Sequence, residues 1–212
     1  LDHDGSLSGT VQCGATDGHR FSPRDAALLP GDDLVIAGSV YEEDSFSHRA
    51  WIARVDPDTG DAAWSIQPFD VPGTISRVRV GVDGVYAVGS YSATGWVWDY
   101  EIFAMKVDFA GNVLWKQWFG FDAIGDAAVD FVLTADEDMV VGGIREDYLE
   151  GHFVMFESNG SYEWNRYFDT FAPERMCRVG DEAWLVKQGW NDKIEVLAID
   201  DNGVRIWSRS YQ

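Results

Sequence analysis

Val107-Asp108-Phe109-Ala110-Gly111-Asn112-Val113-Leu114-Trp115 is one of four statements of a single phrase: an apolar residue, an acid, a polar turn, a glycine and, four positions later, a tryptophan. The other copies occupy 55–64, 156–164 and 199–207, so that Gly60 leads to Trp64, Gly111 to Trp115, Gly160 to Trp164 and Gly203 to Trp207. The tryptophans lie 51, 49 and 43 residues apart. Self-similarity at such a period marks a repeat array, in which one supersecondary unit is copied and stacked.

Working outward from each tryptophan, the preceding text divides into short apolar runs separated by Gly, Asp, Asn and Pro, the residues that tight turns select. The first unit has runs at 26–29, 34–39 and 51–55 before its tryptophan strand, and the second at 75–80, 85–90, 102–107 and 112–119. The third has 127–133, 139–143, 153–156 and 161–168, and the fourth 176–179, 183–187, 194–199 and 204–211. Four strands per unit at a period of about 40 to 50 residues predict an all-β fold, a β-propeller with four four-stranded blades over 25–68, 75–119, 126–168 and 175–212. The residues one and three places before each closing acid are apolar in every copy: Val55 and Ala53, Val107 and Met105, Phe156 and Val154, Ile199 and Leu197. The intervening position is Arg54 or Lys106 in the first two units but Met155 or Ala198 in the last two, which predicts more covered outer faces in the later blades.

Residues 1–12 contain Asp2, Gly5 and Gly9, with Gly9 where the tryptophan should stand, and read as an extra, degenerate last strand. Four units plus one stray strand predict part of a longer propeller, the alternative being a compact ring with an irregular N-terminal closure. The chain opens on Leu1, so a processed or partial product is expected, its targeting segment lost to view.

Composition narrows the partners. Thirty-six acids against sixteen bases give a formal charge of −20, a surface that repels nucleic acid and anionic membrane. No run reaches the roughly 18 apolar residues of a membrane helix, so no membrane insertion is expected. Cys13 and Cys177 are too few for a disulfide framework; they read as two isolated buried thiols or as one bridge.

The stretch Val55-Asp56-Pro57-Asp58-Thr59-Gly60-Asp61-Ala62-Ala63-Trp64 resembles the tryptophan-docking motif of the quinoprotein-type, or PQQ-like, propeller repeat, in which Ala or Val, Asp, Thr-Gly and Trp end each blade. The copy ending at Trp115 is more similar to bacterial secreted propeller repeats reading apolar, Gly-Ser, loop, apolar, Asp-x-x-Gly-Asn-x-x-Trp. The resemblance spans nearly the whole chain and implies a structural role for the phrase: the indole packs between blades and the glycine permits the turn. It also implies an extracellular or cell-surface location. The chain is too short to form by itself the axial quinone pocket of the larger quinoprotein dehydrogenases, so no cofactor is expected. Two departures stand out, Glu157 in place of Asp and Lys187-Gln188 where Gly-Ser is expected.

Propeller ligands sit at an axial end, on loops. The segment 90–100 holds Tyr91, Trp96, Trp98, Asp99 and Tyr100, aromatics that suit stacking on sugar C–H faces beside a carboxylate that accepts hydroxyl hydrogens. The same aromatics would equally cover a sheet edge. Acids in the equivalent loops, Glu42, Glu43, Asp44, Glu146 and Asp147, suit calcium or simple solvation. First-strand residues Arg24, Asp25, Arg77, Arg79, Asp126, Asp130, Glu174 and Arg178 predict a salt-bridged axial channel. His3, His19, His48 and His152 lack metal-ligand spacing, and no nucleophile, zinc or phosphate-loop motif occurs. The expected function is therefore a non-enzymatic binding or scaffold module with a glycan or protein ligand. The alternatives are a carbohydrate-active enzyme with paired carboxylates at an axial face, and an assembly subunit joined through its N-terminal strand.

Overall fold

The computed structural model describes residues 20–43, 47–92, 100–119, 125–145, 150–169, 171, 173–180, 183–190 and 193–211, with only the backbone of 145 and 183–190. Among the described residues the chain forms sixteen strands and no helix. The first blade comprises β1 (Arg20–Leu28), β2 (Leu34–Glu42), β3 (Ser47–Val55) and β4 (Ala62–Ile66). The second comprises β5 (Gly73–Val80), β6 (Val85–Ser92), β7 (Tyr100–Val107) and β8 (Val113–Phe119). The third comprises β9 (Asp126–Leu133), β10 (Met139–Arg145), β11 (Glu150–Phe156) and β12 (Tyr162–Phe168), and the fourth β13 (Arg175–Val179), β14 (Ala183–Trp190), β15 (Lys193–Ile199) and β16 (Arg205–Tyr211). Each blade is an antiparallel meander in sequence order. The fold is a β-propeller array, as the repeats predict. The strands run further than their apolar cores suggest: β1 begins at Arg20, and β2 and β3 pair out to Glu42 and Ser47.

A sheet alternates its side chains between two faces, so a blade between two neighbours must be apolar on both. β6 is buried at every position. Its Val85, Ala87 and Tyr91 join the core against the first blade with Val35, Ala37, Ile52 and Phe103. Its Tyr86 and Val88 join the core against the third, with Ile102, Phe131, Val141 and Phe156. A third core, with Val140, Phe153, Met155, Met176 and Leu197, joins the third and fourth blades. Among the described residues no such core joins the fourth blade to the first, and the four blades share three seams.

The repeated phrase builds those seams. The indole N–H of Trp64 donates to the Phe109 carbonyl at 3.0 Å, that of Trp115 to Ser158 at 3.0 Å, and that of Trp164 to Asp201 at 2.8 Å, each acceptor being in the next blade's turn. The glycine of that next turn lies under the ring. A methyl on Gly111, Gly160 or Gly203 would come within 2.7 Å of Trp64, Trp115 or Trp164, and their φ values of 89°, 87° and 69° independently demand glycine. Asp56, Asp108 and Asp200 close the turns by accepting backbone N–H groups on one oxygen. Where Glu157 replaces Asp, Asn159 takes over, accepting from the Ser161 N–H and donating to Glu157.

Two expectations need correction. A charge at the intervening third-strand position does not mark an open face: Lys106 and Met155 are equally buried, each 4% exposed. The Lys106 ammonium reaches Asp83 at 2.7 Å and lies over the Tyr86 ring at 4.7 Å. Burial alone would lower its pKa, but the bonds to Asp83 and Tyr86 outweigh it and hold the group charged; the bond from Lys106 in turn lowers Asp83. The fourth blade is moreover the least covered, with Ile194, Ile206, Trp207 and Tyr211 all exposed. Cys177 is likewise exposed rather than buried, because β13 points alternate residues away from the third blade. Cys13 and the predicted stray strand 1–12 lie outside the described residues.

Candidate axial ligand site

The inner strands of the first three blades share an irregularity. Their ladders with the second strands skip one residue: Arg24 between Pro23 and Asp25, Ser76 between Ile75 and Arg77, Val129 between Ala128 and Asp130. These are β-bulges, which bend a strand and re-aim a side chain. The bend drives the inner-strand carbonyl toward the second strand, where only glycine leaves room. A methyl on Gly38 would lie 2.1 Å from the Ser22 carbonyl oxygen, on Gly89 2.0 Å from that of Thr74, and on Gly143 3.0 Å from that of Ala127. In the fourth blade, where Lys187-Gln188 stands in place of Gly-Ser, the β13–β14 ladder runs without a shift.

The three bulged residues all line one cavity of about 980 Å³ at the end of the array from which the loops between second and third strands emerge. The first blade contributes Ser22, Arg24, Ser39, Ser47, His48 and Arg49; the second Asp70, Thr74, Ser76, Arg77, Ser90, Ser92 and Tyr100; the third Asp126 to Val129 and Ile144. Seven of these residues are Ser or Thr. The Ser39 hydroxyl sits 3.3 Å from His48 Nδ1, and Ser90 Oγ accepts the Ala128 N–H at 3.1 Å, joining the second and third blades behind the wall.

Charge beneath this wall is organised by carboxylates just past the bulges. Asp25 accepts the Val78 N–H of the next blade at 3.0 Å, and Asp130 accepts the Met176 N–H at 3.0 Å. Asp130 also binds Arg79 at 2.8 Å, with Arg77 standing off at 3.9 Å. Arg49 is held by Glu42 at 2.8 Å. The predicted salt-bridged channel is thus present at Arg79 and Asp130, while Arg24, Arg77 and Asp126 are among the residues lining the cavity.

Of the five predicted ligand-binding residues, Trp96, Trp98 and Asp99 lie outside the described residues. Tyr100 lines the cavity, and Ser92 and Tyr100, which flank the undescribed 93–99, both belong to its wall. Tyr91 belongs to the interblade core: it is 8% exposed, its ring stacks on Phe69 at 5.4 Å and its hydroxyl donates to Glu101 at 2.6 Å. Glu42 and Glu43 form ion pairs with Arg49 and Arg20, Asp44, Glu146 and Asp147 lie outside the described residues, and among the described residues no cluster of His, Cys, Asp and Glu suits a metal. Sequence reasoning missed Arg49, His48 and the ring of hydroxyls. The available signal was the serine that follows the bulge glycine, Ser39 and Ser90, which the alternation of β2 and β6 brings to the wall.

No family model matches the chain, and no curated protein matches it in sequence. Among solved structures it is similar to one described as the structure of the Dos1 propeller, at a TM-score of 0.59 with 11% identity, over 90% of this chain and 48% of that one. The chain therefore has the propeller fold and spans about half the length of that relative. It also aligns to Kluyveromyces lactis Hsv2 at 8% identity over 90% of this chain and 98% of that one, with a TM-score of 0.32, too low to bear on the fold.

Proposed function

We propose that the chain is a non-enzymatic binding module built from PQQ-like repeats, secreted or displayed at the cell surface, that holds a glycan in the axial cavity between its first three blades. The observation that carries this reading is the lining of a space of about 980 Å³ by seven Ser and Thr residues, of which Ser22, Ser47, Thr74 and Ser76 are partly exposed. Hydroxyls both donate and accept, as sugar hydroxyls do, and the volume lies at the upper end of ordinary ligand pockets, room for a short oligosaccharide. Tyr100 on the wall offers a ring face that sugars stack against, and Trp96 and Trp98 are assigned the same role from sequence alone.

The test is a glycan array probed with the whole chain and with the Ser76→Val, Tyr100→Ala, Trp96→Ala and Trp98→Ala variants. Binding by the parent, reduced about tenfold or more by Ser76→Val or Tyr100→Ala, is expected from the loss of one buried hydrogen bond or one stacking face. Silence across the array, or binding indifferent to all four substitutions, rejects the reading. Release of reducing ends, abolished by Asp70→Asn or Asp126→Asn, would replace it with hydrolysis.

A further inference from the structure

Resting on the glycan reading, we infer that the sugar this cavity takes is acidic, its carboxylate or sulfate engaged by the guanidinium groups of Arg24 and Arg77. The premise is a local reversal of charge. In a chain with thirty-six acids and sixteen bases, a random wall would be acidic. This one holds Arg24, Arg49 and Arg77 against Asp70 and Asp126.

The three arginines differ in what they have left to give. Arg49 is committed to Glu42 at 2.8 Å. Arg77 spends one N–H on the Ser76 carbonyl at 2.6 Å, and its nearest carboxylate, Asp130, is 3.9 Å away. Asp130 is already occupied, by Arg79 at 2.8 Å and by the N–H groups of Phe131 and Met176 at 2.9 and 3.0 Å. A guanidinium carries five donors in a planar fork, so most of those of Arg77 remain for an oxyanion. Arg24 is the residue the first bulge pushes out of the ladder, is exposed, and has no ion pair among the described residues. Of the two wall carboxylates, Asp126 is buried and already engaged within the protein, and Asp70 faces solvent, where water screens it. The net charge of −20 acts mainly over distances that salt screens, beyond about 8 Å at physiological ionic strength, whereas the guanidiniums act at contact.

The other strong candidate, the exposed outer face of the fourth blade, has nothing in the structure to say what covers it. The wall chemistry does specify a ligand, and it divides the outcomes. An array carrying neutral, uronate and sulfated oligosaccharides on the same gluco, galacto and manno backbones is probed with the whole chain, and the best acidic ligand and its neutral counterpart are then titrated calorimetrically. Hits are expected among acidic members, bound about tenfold or more tighter than the matched neutral sugar. Uronate hits assign a carboxylate and sulfated hits a sulfate, and both support the inference. Arg24→Gln, and Arg24→Gln with Arg77→Gln, are expected to bring the acid-to-neutral ratio toward one, with the unfolding midpoint of each checked to confirm folding. Hits confined to neutral sugars overturn the acidic preference and leave the glycan reading standing. A preference that survives the double substitution overturns the assignment to these arginines, and silence across the array removes both readings.

Discussion

The buried imidazole of His152 is expected to make the fold sensitive to mild acid. His152 is 1% exposed, stacked on Tyr167 at 4.5 Å and edge-on to Phe119 at 5.5 Å, and burial pushes its pKa from 6.5 down to about 4. Between those values the unfolded chain binds a proton that the folded chain refuses. Its contribution is therefore complete above pH 6.5, falls as pH drops through the window and is gone below about 4. From pH 7 to pH 5 the loss is on the order of 2 kcal/mol. Urea unfolding at both pH values, compared with His152→Phe, measures it; a variant whose stability falls as steeply as the parent's would refute the assignment. Residues of this kind are hard to read in sequence, because His152 sits among apolar neighbours in β11 with no spacing to other ligands, and only the packing of the next strand reveals that it is neutral.

The elements depend on glycine at the bulges more than on strand propensity. Gly89→Ala would set a methyl 2.0 Å from the Thr74 carbonyl oxygen and 2.7 Å from the Phe103 ring, neither of which can step aside without moving β5 or the core. A loss of about 3 kcal/mol is expected. At Gly143 the closest atom is the mobile end of Ile102 at 2.3 Å, with backbone at 3.0 Å, and about 1 kcal/mol is expected. Chemical denaturation of the pair checks the contrast; equal losses would show that the bulge is not what the glycine serves. Most of this architecture was legible. The period, the closing acids and the Gly-x-x-x-Trp spacing located sixteen strands in four sheets. A second bulge, skipping Ala63, Leu114, Glu163 or Ile206 beside each tryptophan, turns the indole to the seam and leaves Leu114 and Ile206 half exposed. That irregularity hides in the sequence, because the skipped residues, Ala, Leu, Glu and Ile, share no side-chain character that would mark the position. The site was legible only in part: Arg24, Arg77 and Asp126 were foreseen at the axis, while the hydroxyl wall depends on three separate blades meeting.

At the scale of the molecule, the same residue has a different value at different places in the array. Trp164 is 7% exposed and donates to the fourth blade; Trp207 is 40% exposed and is covered mainly by Arg209, 5.5 Å from its ring. Trp164→Ala is expected to cost about 3 to 5 kcal/mol and Trp207→Ala about 1 kcal/mol or less, as read from urea midpoints. Equal costs would mean that the outer face of the fourth blade is covered in solution.

The seam of tryptophan on glycine also bears on how such a chain arises. Every blade but the last presents its ring to the next, and the glycine that receives it belongs to the same copied phrase, so each unit carries the two complementary halves of a joint. Duplicating a whole unit within the gene would therefore supply a finished joint on either side of the newcomer without a single compensating substitution. The joint is also independent of the bulges: the fourth unit has Lys187-Gln188 and an unshifted β13–β14 ladder, yet its Gly203 still receives Trp164.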